Sequence, residues 1–210
     1  MNNQIKTVIE FLDLFPSMYK TKKKKNIPDP KTNEGKSVIQ EIMEDASSKI
    51  IVPTVPETIP DPVVSTILEI FHGINFDRLS DIAKEHQLSM GAENVVGALL
   101  EDYINSESRH YGWCVCAGEV VHGTDFLRKT DNNNWELLQV KNRDNSENSS
   151  SATVRELIRQ NSGIVIKKWH RTKSKTGKTN WENFPDDNLK NILNEDCFQN
   201  YVKEYLRNNN

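Results

Sequence analysis

Near the start of the chain, Ile5, Val8, Ile9, Phe11, Leu12 and Phe15 recur at intervals of one to four residues that keep them on one side of a helix. That period predicts an amphipathic helix over residues 4–19, with Pro16 near its end. Residues 21–35 are rich in Lys, Pro and Asn and have no period, so they read as a loop. Residues 52–62 carry four prolines and read as an extended surface segment. Two short helices are expected over 63–72 and 76–86. The strongest helical pattern covers 92–106, where Val95, Val96, Leu99, Leu100, Tyr103 and Ile104 share a face.

The texture changes after Arg109. Residues 113–116 and 119–127 have strand character and are separated by Gly118. Asp131-Asn132-Asn133-Asn134 marks a turn, and a third strand follows over 135–141. Next come a polar loop over 142–152 and a helix opened by the capping-box spacing of Thr153 to Glu156 and running to Gln160. A β-rich run over 163–169 and a closing helix over 188–206 complete the chain. The order predicts an α/β (α+β) fold with a mixed central sheet flanked by helices. Residues 1–90 read as a mainly helical part suited to wrapping DNA or to dimerisation, and 91–210 as the core, all within one compact domain.

Composition leaves this picture standing. Apolar residues make up 36% of the 210 and charged residues 27%, enough for a core beneath a very wet surface. There is no run of about eighteen apolar residues of the kind that spans a bilayer. The N-terminus lacks the layout of a secretory signal, so a cytoplasmic protein is expected. Cys114, Cys116 and Cys197 form no CxxC pair, which fits a reducing compartment. The net charge of −3 hides two basic stretches, 20–25 and 167–178, that suit nucleic acid or a plain solvated face.

Candidate chemistry centres on the third strand. Alternation puts Leu137, Gln139 and Lys141 on one face and Glu136, Leu138 and Val140 on the other. One strand earlier, the tight Asn-rich turn brings Asp125 near Gln139 and Lys141. Phosphodiester hydrolysis needs a divalent cation to neutralise phosphate and acidify a water. Asp125 offers a carboxylate and Gln139 a neutral carbonyl, hard oxygens suited to Mg²⁺. Lys141 would orient or deprotonate the water, or stabilise the pentavalent phosphate. Gln139 stands where an acid is usual, which leaves the site one negative charge short. Glu136 faces away. Glu101 is the better fourth member, on a helix that must pack on the strands, with Gly97 one turn earlier allowing close approach. The alternative for Glu101 is a solvated helix position.

Several strings carry more than this pattern. Gly97-Ala98-Leu99-Leu100-Glu101-Asp102-Tyr103-Ile104, the Gly112-Trp113 pair, Gly123-Thr124-Asp125-Phe126, residues 137–151 and Ile166-Lys167-Lys168-Trp169 together resemble the SinI-like type II restriction endonucleases. The similarity spans roughly Ala92 to Arg171 and leaves the first third of the chain uncovered. It implies a restriction-endonuclease-like fold of the PD-(D/E)XK superfamily, a homodimer, Mg²⁺, and cleavage of double-stranded DNA at a short palindrome of the GGWCC type (W is A or T). It also implies a cognate DNA methyltransferase as a functional rather than physical partner.

If Lys141 touches phosphate, the residues that follow it lie against DNA. Asn142 is a candidate DNA contact, Arg143, Asn145 and Asn148 are candidate readers of base edges, and Asp144 or Glu147 would accept from a cytosine amino group. Ser149, Ser150 and Arg155 are candidates for phosphate at a helix N-terminus. Lys167, Lys168, His170 and Arg171 add phosphate contacts around Trp169. Composition alone would read the Asn/Ser loop as a helix cap. Three other readings remain open: a DNA-binding regulator without catalysis, a structure-specific or repair nuclease, and a zinc module built on His110, Cys114, Cys116 and His122, whose spacing is poor for zinc.

Overall fold

A computed structural model describes residues 2–20, 28–57, 59, 61–144, 156 and 164–210. Asn145, Glu147, Asn148, Ser149, Ser150 and Arg155, most of the helix expected from Thr153 and most of the basic cluster over 20–25 lie outside the described residues.

Helix α1 (Asn3–Leu14) is capped by Asn2, whose side chain accepts the Gln4 N–H, and buries Ile5, Val8, Ile9, Phe11 and Leu12. The apolar period continues to residue 19 but the helix does not. Proline disfavours helical geometry in the residue before it, so Phe15 leaves the helix and Pro16–Met18 form a separate 3₁₀ turn. Helix α2 (Asn33–Ser47) was not expected. Its buried residues are Gly35, Ile39, Ile42 and Met43, too few apolar positions to show a period in so polar a segment. Thr32 caps it through the Gly35 N–H, and a Cβ at Gly35 would lie 2.0 Å from the Asp29 carbonyl.

Helix α3 (Pro62–His72) starts on an Asp61 cap and ends at Gly73 in the left-handed conformation. The next two expected helices are one, α4 (Phe76–Ser108), 33 residues long. It runs unbroken through Gly91, where the extended segment after α2 crosses so closely that a Cβ would stand 2.6 Å from the Thr54 carbonyl. Between residues 83 and 91 the helix faces mostly solvent, so its apolar period fades while its hydrogen-bond ladder continues.

The sheet has four strands in the order β1 (Cys114–Val115), β2 (Phe126–Lys129), β3 (Trp135–Arg143), β4 (Ile166–Thr172). The first three form an antiparallel meander, and β4 runs parallel to β3. With helices on both faces this is a mixed α+β architecture of the restriction-endonuclease-like kind. The strand expected over 119–127 shrinks to its end. Residues 117–119 instead form a 3₁₀ turn, with Gly118 and Glu119 at positive φ. The closing helix also divides, into α5 (Asp187–Lys190) and α6 (Glu195–Asn208), because Asn194 starts a new helix by capping the Cys197 N–H.

Strand alternation sorts the core into two layers. Leu127, Leu137 and Ile166 pack with α1 and α2, while Phe126, Leu138, Val140 and Trp169 pack with α4, α6, Trp181 and Phe184. Both faces of β3 are therefore covered, which explains its nearly continuous apolar centre. On the second face Asp186, 5% exposed, accepts from the Trp113 indole at 2.8 Å and pairs with Arg128, and it also caps α5 through the Asn188 N–H. Arg128 pairs with Glu136 as well. Removing the Asp186 carboxylate would orphan a buried indole N–H and half of a guanidinium. Asp186→Ala is therefore expected to lower the unfolding free energy by about 3 kcal/mol. Urea denaturation measures it, and a loss below about 1 kcal/mol would show that the carboxylate is dispensable.

Candidate active site

The β2–β3 hairpin sets the register of the site. Its turn closes by hydrogen bonds between Thr130 and Asn134 and from Asn133 to Thr130, with Asn133 in the left-handed region that asparagine tolerates. Phe126 is then opposite Leu138. Asp125, one residue before β2, continues the ladder: its N–H donates to the Leu138 carbonyl at 2.9 Å, and its own carbonyl accepts from Cys116 at 2.8 Å. The Asp125 carboxylate accepts the Val140 N–H at 2.7 Å. Backbone and side chain together hold the carboxylate against β3 beside Gln139 and Lys141.

Gln139 is 7% exposed and Lys141 half-buried, two residues further along the same face. The parallel register places Lys168 beside Gln139 and His170 beside Lys141. Glu136 points to the opposite face. Burial alone would raise its carboxyl, but hydrogen bonds from Lys167 and Arg128 hold it below the usual range.

Glu101 joins this group from α4, half-buried between the sheet anchors Leu100 and Tyr103. Burial pushes its pKa up to about 8, the Asp125 charge adds to the rise, and Lys141 opposes it. Burial also raises Asp125, against the Val140 hydrogen bond and the Lys141 charge. The two acids and the lysine thus sit within one another's fields. Close approach does not depend on Gly97, since a Cβ there would meet nothing within 4 Å. Burial of Leu99, Leu100, Tyr103 and Ile104 seats the helix.

Glu119 was missed by sequence reasoning. Its charge raises both Glu101 and Asp125. It is brought there by the left-handed pair Gly118–Glu119, whose glycine packs so tightly on Ile42 of α2 that a Cβ would lie 2.6 Å from that side chain. Gly118 was the only hint, and it reads equally well as a break between strands. Glu101 opens onto a cleft of about 520 Å³ that is also lined by Ser48, Lys49, Asp102, Asn105 and Gly118.

Hard oxygen donors are what this arrangement offers: two carboxylates raised by burial and by neighbouring negative charge, beside a buried carboxamide. A small divalent cation fits that set, because its charge would relieve the repulsion. Among the described residues no three His, Cys, Asp or Glu side chains gather for an ion. Cys114 and Cys116 lie in the core, where burial raises both thiols above their ordinary range. Protonated core thiols are poor zinc ligands.

The expected DNA-facing residues divide. Lys168 and His170 share the face of Gln139 and Lys141, and Arg143 is exposed at the end of β3. Asn142 accepts from Arg171, which also pairs with Glu195 at 2.6 Å and stands over the Phe198 ring. Asp144 accepts the Ser174 N–H, and Lys167 is bound to Glu136. Arg143 and Lys168 are not free of protein contacts either.

Comparison with known proteins extends the similarity well beyond residues 92–171. The family model described as SinI restriction endonuclease matches residues 1–208, including the first third of the chain. The type II restriction enzyme SinI of Salmonella infantis is 40% identical over 213 aligned positions, covering 99% of this chain and 88% of that protein. The type II restriction enzyme Eco47I of Escherichia coli is 48% identical over 155, covering 73% of this chain. The chain spans 65% of that second protein's length, just under two thirds.

A consequence for stability follows from the raised acids. Unfolded, Glu101 titrates near 4.5; folded, near 8. Its contribution is fully present below the lower value and is lost as pH rises towards the upper one, with Asp125 acting in the same direction. In chelator, stability is expected to fall on the order of 3 kcal/mol between about pH 5.5 and 8.5. Urea midpoints across that range test it. Glu101→Gln should flatten the profile, and an equally steep profile in that variant would assign the effect elsewhere.

Proposed function

The chain belongs to the SinI restriction endonuclease family, and from that premise we propose that it is a type II restriction endonuclease. In this reading it hydrolyses phosphodiester bonds of double-stranded DNA, with Mg²⁺, at a short palindromic site, as a homodimer. GGWCC is the first sequence to test. A cognate methyltransferase would protect the host's own sites without binding this protein. The cytoplasm, where such an enzyme meets DNA, is the expected compartment; among the described residues no helix is long and apolar enough to cross a membrane.

The observation that carries the proposal is the Asp125 carboxylate, pinned to the Val140 N–H. It stands beside Gln139 and Lys141 and within the field of Glu101. Asp125, Glu101 and the Gln139 carbonyl would hold the cation. When bound, a divalent cation there neutralises phosphate charge and acidifies water. Lys141 would face the phosphate, orienting the attacking water and stabilising the charge that builds on the non-bridging oxygens as the water oxygen bonds to phosphorus. The bridging P–O bond breaks, and the leaving oxygen takes up a proton in exchange for the one the water gives to solvent. Lys168 and His170 extend positive and hydrogen-bonding groups along the same face towards the backbone of the duplex. Glu101, with its raised pKa, gives up its proton as the cation binds, so metal affinity should rise with pH across neutrality.

Digestion of DNA of known sequence with Mg²⁺, followed by mapping of the ends, tests the proposal. Discrete fragments sharing one palindrome, absent from methylated DNA, are expected. Binding without cleavage would leave only a DNA-binding protein, and cuts at junctions or lesions would make it a repair enzyme. Lys141→Ala should bind the same fragment yet cut at least about 100-fold more slowly. Unchanged cleavage by that variant would remove Lys141 from the site.

A further inference from the structure

Helix α3 buries none of its eleven residues, although its sequence is mostly apolar. Val63, Val64, Ile67, Ile70 and Phe71 are between 51% and 81% exposed. At 3.6 residues per turn they fall within a stripe about 120° wide, the width with which a helix normally faces a core. Leu68 on the stripe's flank and Ile74 just beyond the helix are only half-buried, α3 being held against α4. Among the described residues the stripe itself has no cover.

We propose that this face of α3 is the surface through which two copies of the chain associate. The proposal rests on the reading of a nuclease that cuts both strands of a palindrome, because a twofold site calls for a twofold protein. Three further features select a second copy as the occupant. In a contact of a surface with its own copy, each charge near the axis meets its like; the stripe contains no charged residue, so nothing in it opposes self-pairing. DNA is a poor occupant, since α3 has no lysine or arginine to offer phosphate. The area also suits. Five such side chains supply roughly 300–600 Å² of apolar surface, close to the apolar share of the about 800 Å² that each partner gives to a stable interface.

Sedimentation velocity of the full chain, compared with an Ile67→Glu/Phe71→Glu double variant, tests this. The wild type is expected to sediment with the mass of two chains at micromolar concentration. The double variant should sediment as one chain with unchanged circular dichroism, its self-association weakened at least about 100-fold, as two buried like charges facing their copies require. A wild type of one-chain mass throughout would overturn the proposal, as would a double variant that stays paired. Should the double variant unfold, Ile70→Cys in a Cys197→Ser background decides. A short bis-maleimide should join two chains, and recovery of single chains alone overturns the proposal. DNA cleavage is scored separately. Pairing through α3 without cleavage would leave this inference standing and remove the nuclease reading. Cleavage of both strands by a double variant that remains paired would do the reverse.

Discussion

The Asp125 carboxylate accepting the Val140 N–H at 2.7 Å ties together most of what matters in this molecule. It extends the β2–β3 pairing one residue past the end of β2, with the Asp125 main chain bonded both to Leu138 and to Cys116. Three strands are thereby locked in one register at the end of the sheet where the polar side chains converge. Because side chains alternate with a period of two, a slip of one residue would turn Gln139 and Lys141 to the opposite face of the sheet and put the apolar Leu138 or Val140 in the place of Gln139. The hydrogen bond is thus both a structural clamp and the alignment of the site.

What the clamp holds is electrostatically uncomfortable. Asp125 and Glu101 are raised by burial, and Glu119 adds a third negative field. Lys141 offsets part of this. The folded chain keeps such a group because the well-packed layers around it supply the stability: Leu138, Val140 and Trp169 against α4 on one face, and Leu137 and Ile166 against α1 and α2 on the other. Strain and unfavourable charge gathered at one place, supported by an ordinary core elsewhere, are the usual signature of a site built for a ligand. A cation seated among these oxygens would turn the least favourable part of the molecule into a favourable one.

Helix α3 presents the opposite situation, an apolar surface with no core to cover. The long α4 carries it away from the sheet, and the crossing at Gly91 holds the extended segment that leads into it. The chain therefore keeps its charges where chemistry is proposed and its uncovered apolar surface where association is proposed. Among the basic residues, Lys167 and Arg171 pair with Glu136 and Glu195, and Lys168 and His170 share the face of Lys141.

Much of this was legible in the chain alone. Local periodicity gave α1, the second half of α4, β3 and the hairpin turn, because each is governed by neighbours a few residues away. The alternation that groups Gln139 with Lys141 and sets Glu136 aside is likewise a local property of a strand. Helix α2 was not legible, since it needs only three large apolar side chains and its polar surface masks them. The continuity of α4 through Gly91 was hidden because that glycine answers to the Thr54 carbonyl, 37 residues earlier in the chain. Glu119 was hidden for the same kind of reason: its left-handed backbone and the packing of Gly118 on Ile42 are imposed by contacts distant in sequence. The sequence by itself determined which residues could do chemistry and on which side of a strand they stand, because those are short-range matters. Only the tertiary structure decided that Glu101 and Glu119 lie within the field of Asp125 and that α3 is left uncovered, because burial and long-range electrostatics depend on which elements meet.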